Sequence, residues 1–144
     1  PGATNRAQIA RGLGAQRGDH RILPGLADHM GLIFEEMARE HARGLAASHE
    51  LEADRIDAWW SSDGAHEIAI VGVTGRDRVA LVGTAKWSAR PLGHSVLQNL
   101  DRHAIALPGY RQGLPRIVYG RGGCSSGVQN EPAVRCFSAS DMYG

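Results

Sequence analysis

The chain has 144 residues, and its 16 basic side chains divide into 15 arginines and one lysine, Lys86, against 15 carboxylates, for a net charge of +1. With 42% of residues apolar, the length suits one domain with a modest core and excludes a disordered chain, a coiled coil and a highly basic nucleic-acid-binding tail. No apolar run approaches the roughly 20 residues needed to span a bilayer, and no charged-then-apolar leader opens the sequence. The chain therefore reads as soluble and cytoplasmic, and its start at Pro1 reads as a segment of a longer protein.

Residues 1–25 are rich in Gly, Arg and Ala, with a short helix expected over 4–13, where Ile9 and Leu13 recur at helical spacing. Residues 1–27 are expected to be a linker or the remnant of a preceding winged-helix-like domain, with the main domain over 28–144. A longer helix is expected after Pro24-Gly25, capped by Asp28 and ended near Gly44. Met30, Ile33, Phe34, Met37, His41 and Leu45 form its apolar stripe, which puts Glu35 and Glu36 on the surface.

From residue 55 the period changes to two. The runs 55–60, 67–73 and 79–87 are separated by Ser61-Ser62-Asp63-Gly64 and Thr74-Gly75-Arg76-Asp77, the pattern of an antiparallel meander. Ser95 then caps a helix with Val96, Leu97, Leu100, Ala104 and Leu107 on one face, and short strands follow at 115–119 and 133–137. The order helix, three strands, helix, two strands predicts an α/β fold, a mixed sheet flanked by helices.

Alternation along a strand puts Glu67 and Ala69 on one face of the second strand, and Thr84 and Lys86 on one face of the third. An acid on one strand, with an acid two residues before a lysine on the next, is the arrangement of a Mg²⁺-dependent phosphodiesterase. The carboxylates hold the hard cation, and the lysine orients water or stabilises charge on the phosphate.

Gly31-Leu32-Ile33-Phe34-Glu35, Trp59-Trp60, Glu67-Ile68-Ala69, Gly83-Thr84-Ala85-Lys86-Trp87-Ser88, Pro91-Leu92-Gly93 and Val96-Leu97-Gln98-Asn99-Leu100 follow in that order. Together they resemble the carboxy-terminal domain, of unknown function, of prokaryotic DEXX-box AAA-type ATPases, over about residues 28–140. That domain is similar to the PD-(D/E)XK restriction-endonuclease-like superfamily. The resemblance implies a restriction-endonuclease-like three-layer core, an upstream ATPase module and DNA as a partner.

The family pattern has Glu-Ile-Asp on the second strand and Gly-Glu-x-Lys-Trp-Ser on the third, so Ala69 and Thr84 stand at the two metal-binding carboxylate positions. A methyl group cannot bind Mg²⁺, and a neutral hydroxyl lacks a carboxylate's charge. The catalytic remnant is Glu35, Glu67 and Lys86, with no metal, and the expected function is an inactive, DNA-binding or regulatory appendage of the ATPase. The rival is an active nuclease holding Mg²⁺ at a displaced site with Glu35 and Glu67; a third reading is a protein-interaction module.

Arg76, Arg78 and Arg90 are expected in turns flanking the remnant, where they could contact phosphates. Seven histidines show no His-x₃-His pair with a supporting acid and are expected to be scattered. Cys124 and Cys136 lack C-x-x-C spacing and are expected as two reduced structural thiols, Cys124 in a flexible loop. The glycine-rich string around Cys124 lacks the Lys-Ser/Thr ending of a P-loop.

Overall fold

The computed structural model describes residues 26–143, so the segment expected to be a linker and its short helix lie outside the described residues. Helix α1 spans Leu26–Ala47. The meander follows as β1 (Arg55–Trp60), β2 (Glu67–Thr74) and β3 (Arg78–Lys86). Helix α2 (His94–Ala104), strand β4 (Arg116–Gly120), a one-turn helix α3 (Ser126–Gln129), strand β5 (Val134–Phe137) and a 3₁₀ turn at Ser140–Met142 complete it.

The sheet order is β1-β2-β3-β4-β5. The first three strands pair antiparallel, as hairpins with short turns must, whereas β3-β4 and β4-β5 pair parallel because their connections cross the sheet with helices. This mixed sheet with helices on both faces is the α/β fold expected from the pattern, and it is consistent with the restriction-endonuclease-like core that the resemblance implies.

Phe34, Ala38 and Ala42 of α1 pack on Ile56, Ile70, Leu81, Ala85, Ile117 and Tyr119 on one face. On the other face Leu100 and Ala104 of α2 pack on Ile68, Val71, Val73, Val79 and Val82, while Val96 and Leu97 meet Val118, Cys124 and Val128. Tyr119 is fully buried, and its hydroxyl lies 2.7 Å from His41 Nδ1, so the polar end of each ring is satisfied inside an aromatic cluster with Phe137. Burial pushes the Tyr119 hydroxyl well above the usual tyrosine range and His41 below the usual histidine range.

Several local expectations are corrected. The buried stripe of α1 is Phe34, Ala38 and Ala42, and Ile33 is exposed. The helix also passes Gly44, because the chain ends it later: the Gly44, Leu45 and Ala46 carbonyls accept from Ser48, Glu50 and His49, with His49 at φ +65°. Asp28 lies inside the first turn of α1 rather than before it. The N-cap of α2 is Gly93, one residue before the helix starts, so Ser95 is a first-turn residue.

The larger correction concerns the cysteines: Cys124 and Cys136 form a disulfide, with Cα atoms 6.3 Å apart. Parallel pairing sets Cys136 beside Val118, and the chain leaving β4 folds back over that same face, so residues 12 apart in sequence become neighbours. Cys124 is buried, in a segment ordered by Leu92 pairing and by α3 rather than in a flexible loop.

Gly83 sits where strands approach most closely, since an added Cβ would strike the side chain and carbonyl of Ile117 and crowd Ile70. Gly83→Ala should cost about 1–3 kcal/mol through overpacking, measured as a lower midpoint in urea. An unchanged midpoint would contradict the packing described.

Candidate functional site

The β2-β3 ladder runs from Thr74↔Arg78 to Ile70↔Gly83 and stops there. Beyond that point β2 continues with β1, pairing Ile68 with Trp59 and Glu67 with Trp60, while β3 continues with β4 as far as Lys86↔Gly120. The sheet forks between residues 67–69 and 84–86. A cavity of about 480 Å³ occupies the fork, lined by Glu35 of α1, Trp60, Glu67, Ile68 and Ala69, Thr84 and Lys86, and Asn99, Leu100 and His103 of α2, with Gly64 and Ala65 of the β1-β2 turn.

Glu35, Glu67 and Lys86, drawn from three elements, thus line one cavity together with Ala69 and Thr84. Glu35 is half-buried rather than on the surface, unlike Glu36, which is exposed and bridged to Arg39 and Arg43. Glu67 accepts a 2.6 Å hydrogen bond from Trp60 Nε1, the residue opposite it on β1. Arg39 donates to the Ala69 carbonyl at 2.9 Å, satisfying a backbone acceptor where the ladder is broken. Thr84 is buried, and Lys86 is exposed at the rim.

The arginines divide. Arg76 and Arg78 sit at the closed hairpin end, where Thr74 pairs with Arg78, and Lys86 lies at the other end of the nine-residue β3, about 26 Å from Arg78 at some 3.3 Å per residue. They do not flank the cavity, because a hairpin places its turn at one end and its open ends at the other. Arg90 lies in the connection that leaves Lys86, at the forked end. Sequence reasoning missed Arg121, whose backbone N–H donates to the Lys86 carbonyl at 3.3 Å and whose guanidinium lies 4.3 Å above the Trp87 ring.

It also missed two histidines. His66 Nδ1 and His103 Nδ1 are 3.0 Å apart, joining the β1-β2 turn to the last turn of α2 at the cavity wall. Arg102, which can only donate, lies 3.4 Å from His103 Nε2. The two imidazoles thus share one N–H···N hydrogen bond between their Nδ1 atoms. No spacing signal exists for this pair, since the rings are 37 residues apart. Burial, then the charges of Arg102 and His66, then that of Lys86, hold His103 below the usual histidine range, with Glu67 opposing.

Among the described residues no group of three His, Cys, Asp or Glu side chains is placed to hold a metal ion. Glu35 and Glu67 alone do not make the donor set of a two-metal phosphodiesterase. A larger hollow of about 630 Å³ lies between α1 and the β1 edge, lined by Arg43, His49, Asp54 and neighbours, and contains none of the expected site residues.

The fold and cavity define an α/β domain with a forked mixed sheet and a mixed-charge site between its splayed strands. The chain belongs to the DUF234 family of archaeal and bacterial proteins of unknown function, whose model matches residues 3–104. That stretch carries α1, the meander and α2, and so every residue lining the cavity. No curated protein and no solved structure matches the chain. No helix among the described residues is long and apolar enough to cross a membrane.

Because His103 is depressed in the folded state, its contribution to stability is present above the unfolded value of about 6.5 and is lost as pH falls through the lower folded value. An NMR titration should place His103 below 6.5, and Lys86→Ala should move it up by removing an opposing charge. An unmoved midpoint would separate Lys86 from this cavity.

Proposed function

We propose that this domain is a nuclease-like module that does not hydrolyse its ligand and uses the forked end of the sheet to recognise nucleic-acid phosphate. In this reading it is a DNA-binding or regulatory appendage of a cytoplasmic prokaryotic ATPase. The observation that carries the reading is the fork itself: Lys86 stands at the rim of the cavity between β2 and β3, while Ala69 and Thr84 occupy positions inside it. A lysine at such a rim can neutralise a phosphate without a metal. Hydrolysis would need carboxylates to hold cations against the attacking and leaving oxygens, and neither Ala69 nor Thr84 supplies one.

Arg90 and Arg121 lie at the same end and extend the positive surface, whereas Arg76 and Arg78 are too distant to share a phosphate with Lys86. The rival, a nuclease with a displaced Mg²⁺ site, draws on one observation, that Glu35 and Glu67 line the same cavity as Lys86.

A gel-shift titration decides between them. Binding to a short duplex should weaken with salt, and Lys86→Ala should lower the slope of log affinity against log salt by about one, the signature of a lost phosphate contact. Arg78→Ala should leave cavity binding unchanged. Mg²⁺- or Mn²⁺-dependent cleavage by the wild-type chain, abolished in Lys86→Ala, would overturn the non-hydrolytic reading. Absence of salt-dependent binding would favour a protein-interaction module.

A further inference from the structure

The Cys124–Cys136 bond is asymmetric in its surroundings. Cys124 is buried with Val96, Val118 and Val128, while Cys136 is partly exposed on β5, the edge strand of the sheet. Strand β5 has four residues and pairs with β4 in the sheet, and the disulfide adds a covalent tie to the layer beneath.

Cys124 in turn is knitted to the connection that leaves Lys86. It pairs with Leu92, the Leu92 N–H donates to the Gly123 carbonyl at 2.9 Å, and the Ser125 N–H donates to the Leu92 carbonyl at 2.8 Å. Gly122 N–H donates to the Ser88 carbonyl, and Arg121 N–H to that of Lys86. One covalent bond therefore joins the sheet edge to the pair of loops that frames the forked end.

We propose that this disulfide is a reversible modification site, exchanged by a dithiol reductant at Cys136, that sets how firmly the 87–93 and 121–125 loops are held. A thiolate of the reductant attacks Cys136 Sγ, forming a mixed disulfide and breaking the Cys124–Cys136 bond. Cys124 leaves as a thiolate and takes a proton. The reductant's second thiolate then attacks its own mixed-disulfide sulfur and releases Cys136 as a thiol. The protein gains two thiols and the reductant becomes a disulfide, so electrons and protons balance. Attack goes to Cys136 because it is the less buried of the two residues. Once reduced, both side chains persist as small apolar groups in the same cluster, so the core survives while β5 loosens. In compartments buffered by thiols, disulfides that persist are typically transient or redox-sensing ones, the class to which this bond would belong. The inference does not rest on DNA binding.

The test uses the 144-residue chain, oxidised and after treatment with dithiothreitol, by hydrogen exchange with peptide mapping. Reduction should raise exchange about tenfold or more over 133–138 and 121–126, within the range expected for releasing a short cross-linked loop, and to a lesser degree over 87–93, with β1–β3 unchanged. The Cys124→Ser/Cys136→Ser variant should reproduce the reduced pattern. Glutathione quenched by acid should be trapped on Cys136. Unchanged exchange on reduction, glutathione on Cys124, or two free thiols after air oxidation would each overturn the proposal. Failure of DNA binding would leave these readouts intact.

Discussion

Strands β2 and β3 must lie side by side at their hairpin end, because Val71, Val73, Val79 and Leu81 are buried there, yet each is claimed by a different neighbour at the other end. Ile68 and Glu67 pair with Trp59 and Trp60 of β1, while Thr84 to Lys86 pair with β4. Gly83, sealed against Ile117, is the last β3 residue that can serve both sides. Past it a hollow opens through the sheet, reached by Glu35 from one helix layer and His103 from the other. The site is a consequence of this divided pairing.

The chemistry follows from what lines that hollow. Two glutamates, a rim lysine and the His103 ring, which is hydrogen-bonded to His66, give it a mixed-charge lining. Ala69 and Thr84 add no carboxylate to that lining. The disulfide lies behind the same end of the sheet, so the loops that carry Arg90 and Arg121 are braced from the far side.

Much of the fold was legible in the residues. Alternation over 55–60, 67–73 and 79–87, together with turn residues, located three strands to within a residue, and the two amphipathic helices announced their layers. Spacing was less informative where an ending depended on tertiary packing, as at Gly44, or where small residues rather than large ones faced the core, as at Ala38 and Ala42. Of the site, the Lys86 and Glu67 strand positions could be read from alternation. Glu35 was placed on the surface by its helical phase, because a cavity between strands cannot be seen in a helix's own period. His66, His103 and the disulfide join residues distant in sequence with no spacing signature, and Arg76 and Arg78 were misplaced because a turn looks near both its strands along their whole length.

In the proposed reading, this domain differs from a metal-dependent nuclease by the side chains at 69 and 84, while Glu35, Glu67 and Lys86 line one cavity. The most direct measurement is calorimetric titration of Mg²⁺ and Mn²⁺ into the wild-type chain and the Ala69→Asp/Thr84→Glu variant, with folding of both checked by circular dichroism. The expected result is no binding to the wild type and a new carboxylate-dependent site in the variant. A folded variant that remains blind to both cations, or a wild-type chain that binds them as tightly as the variant, would contradict it.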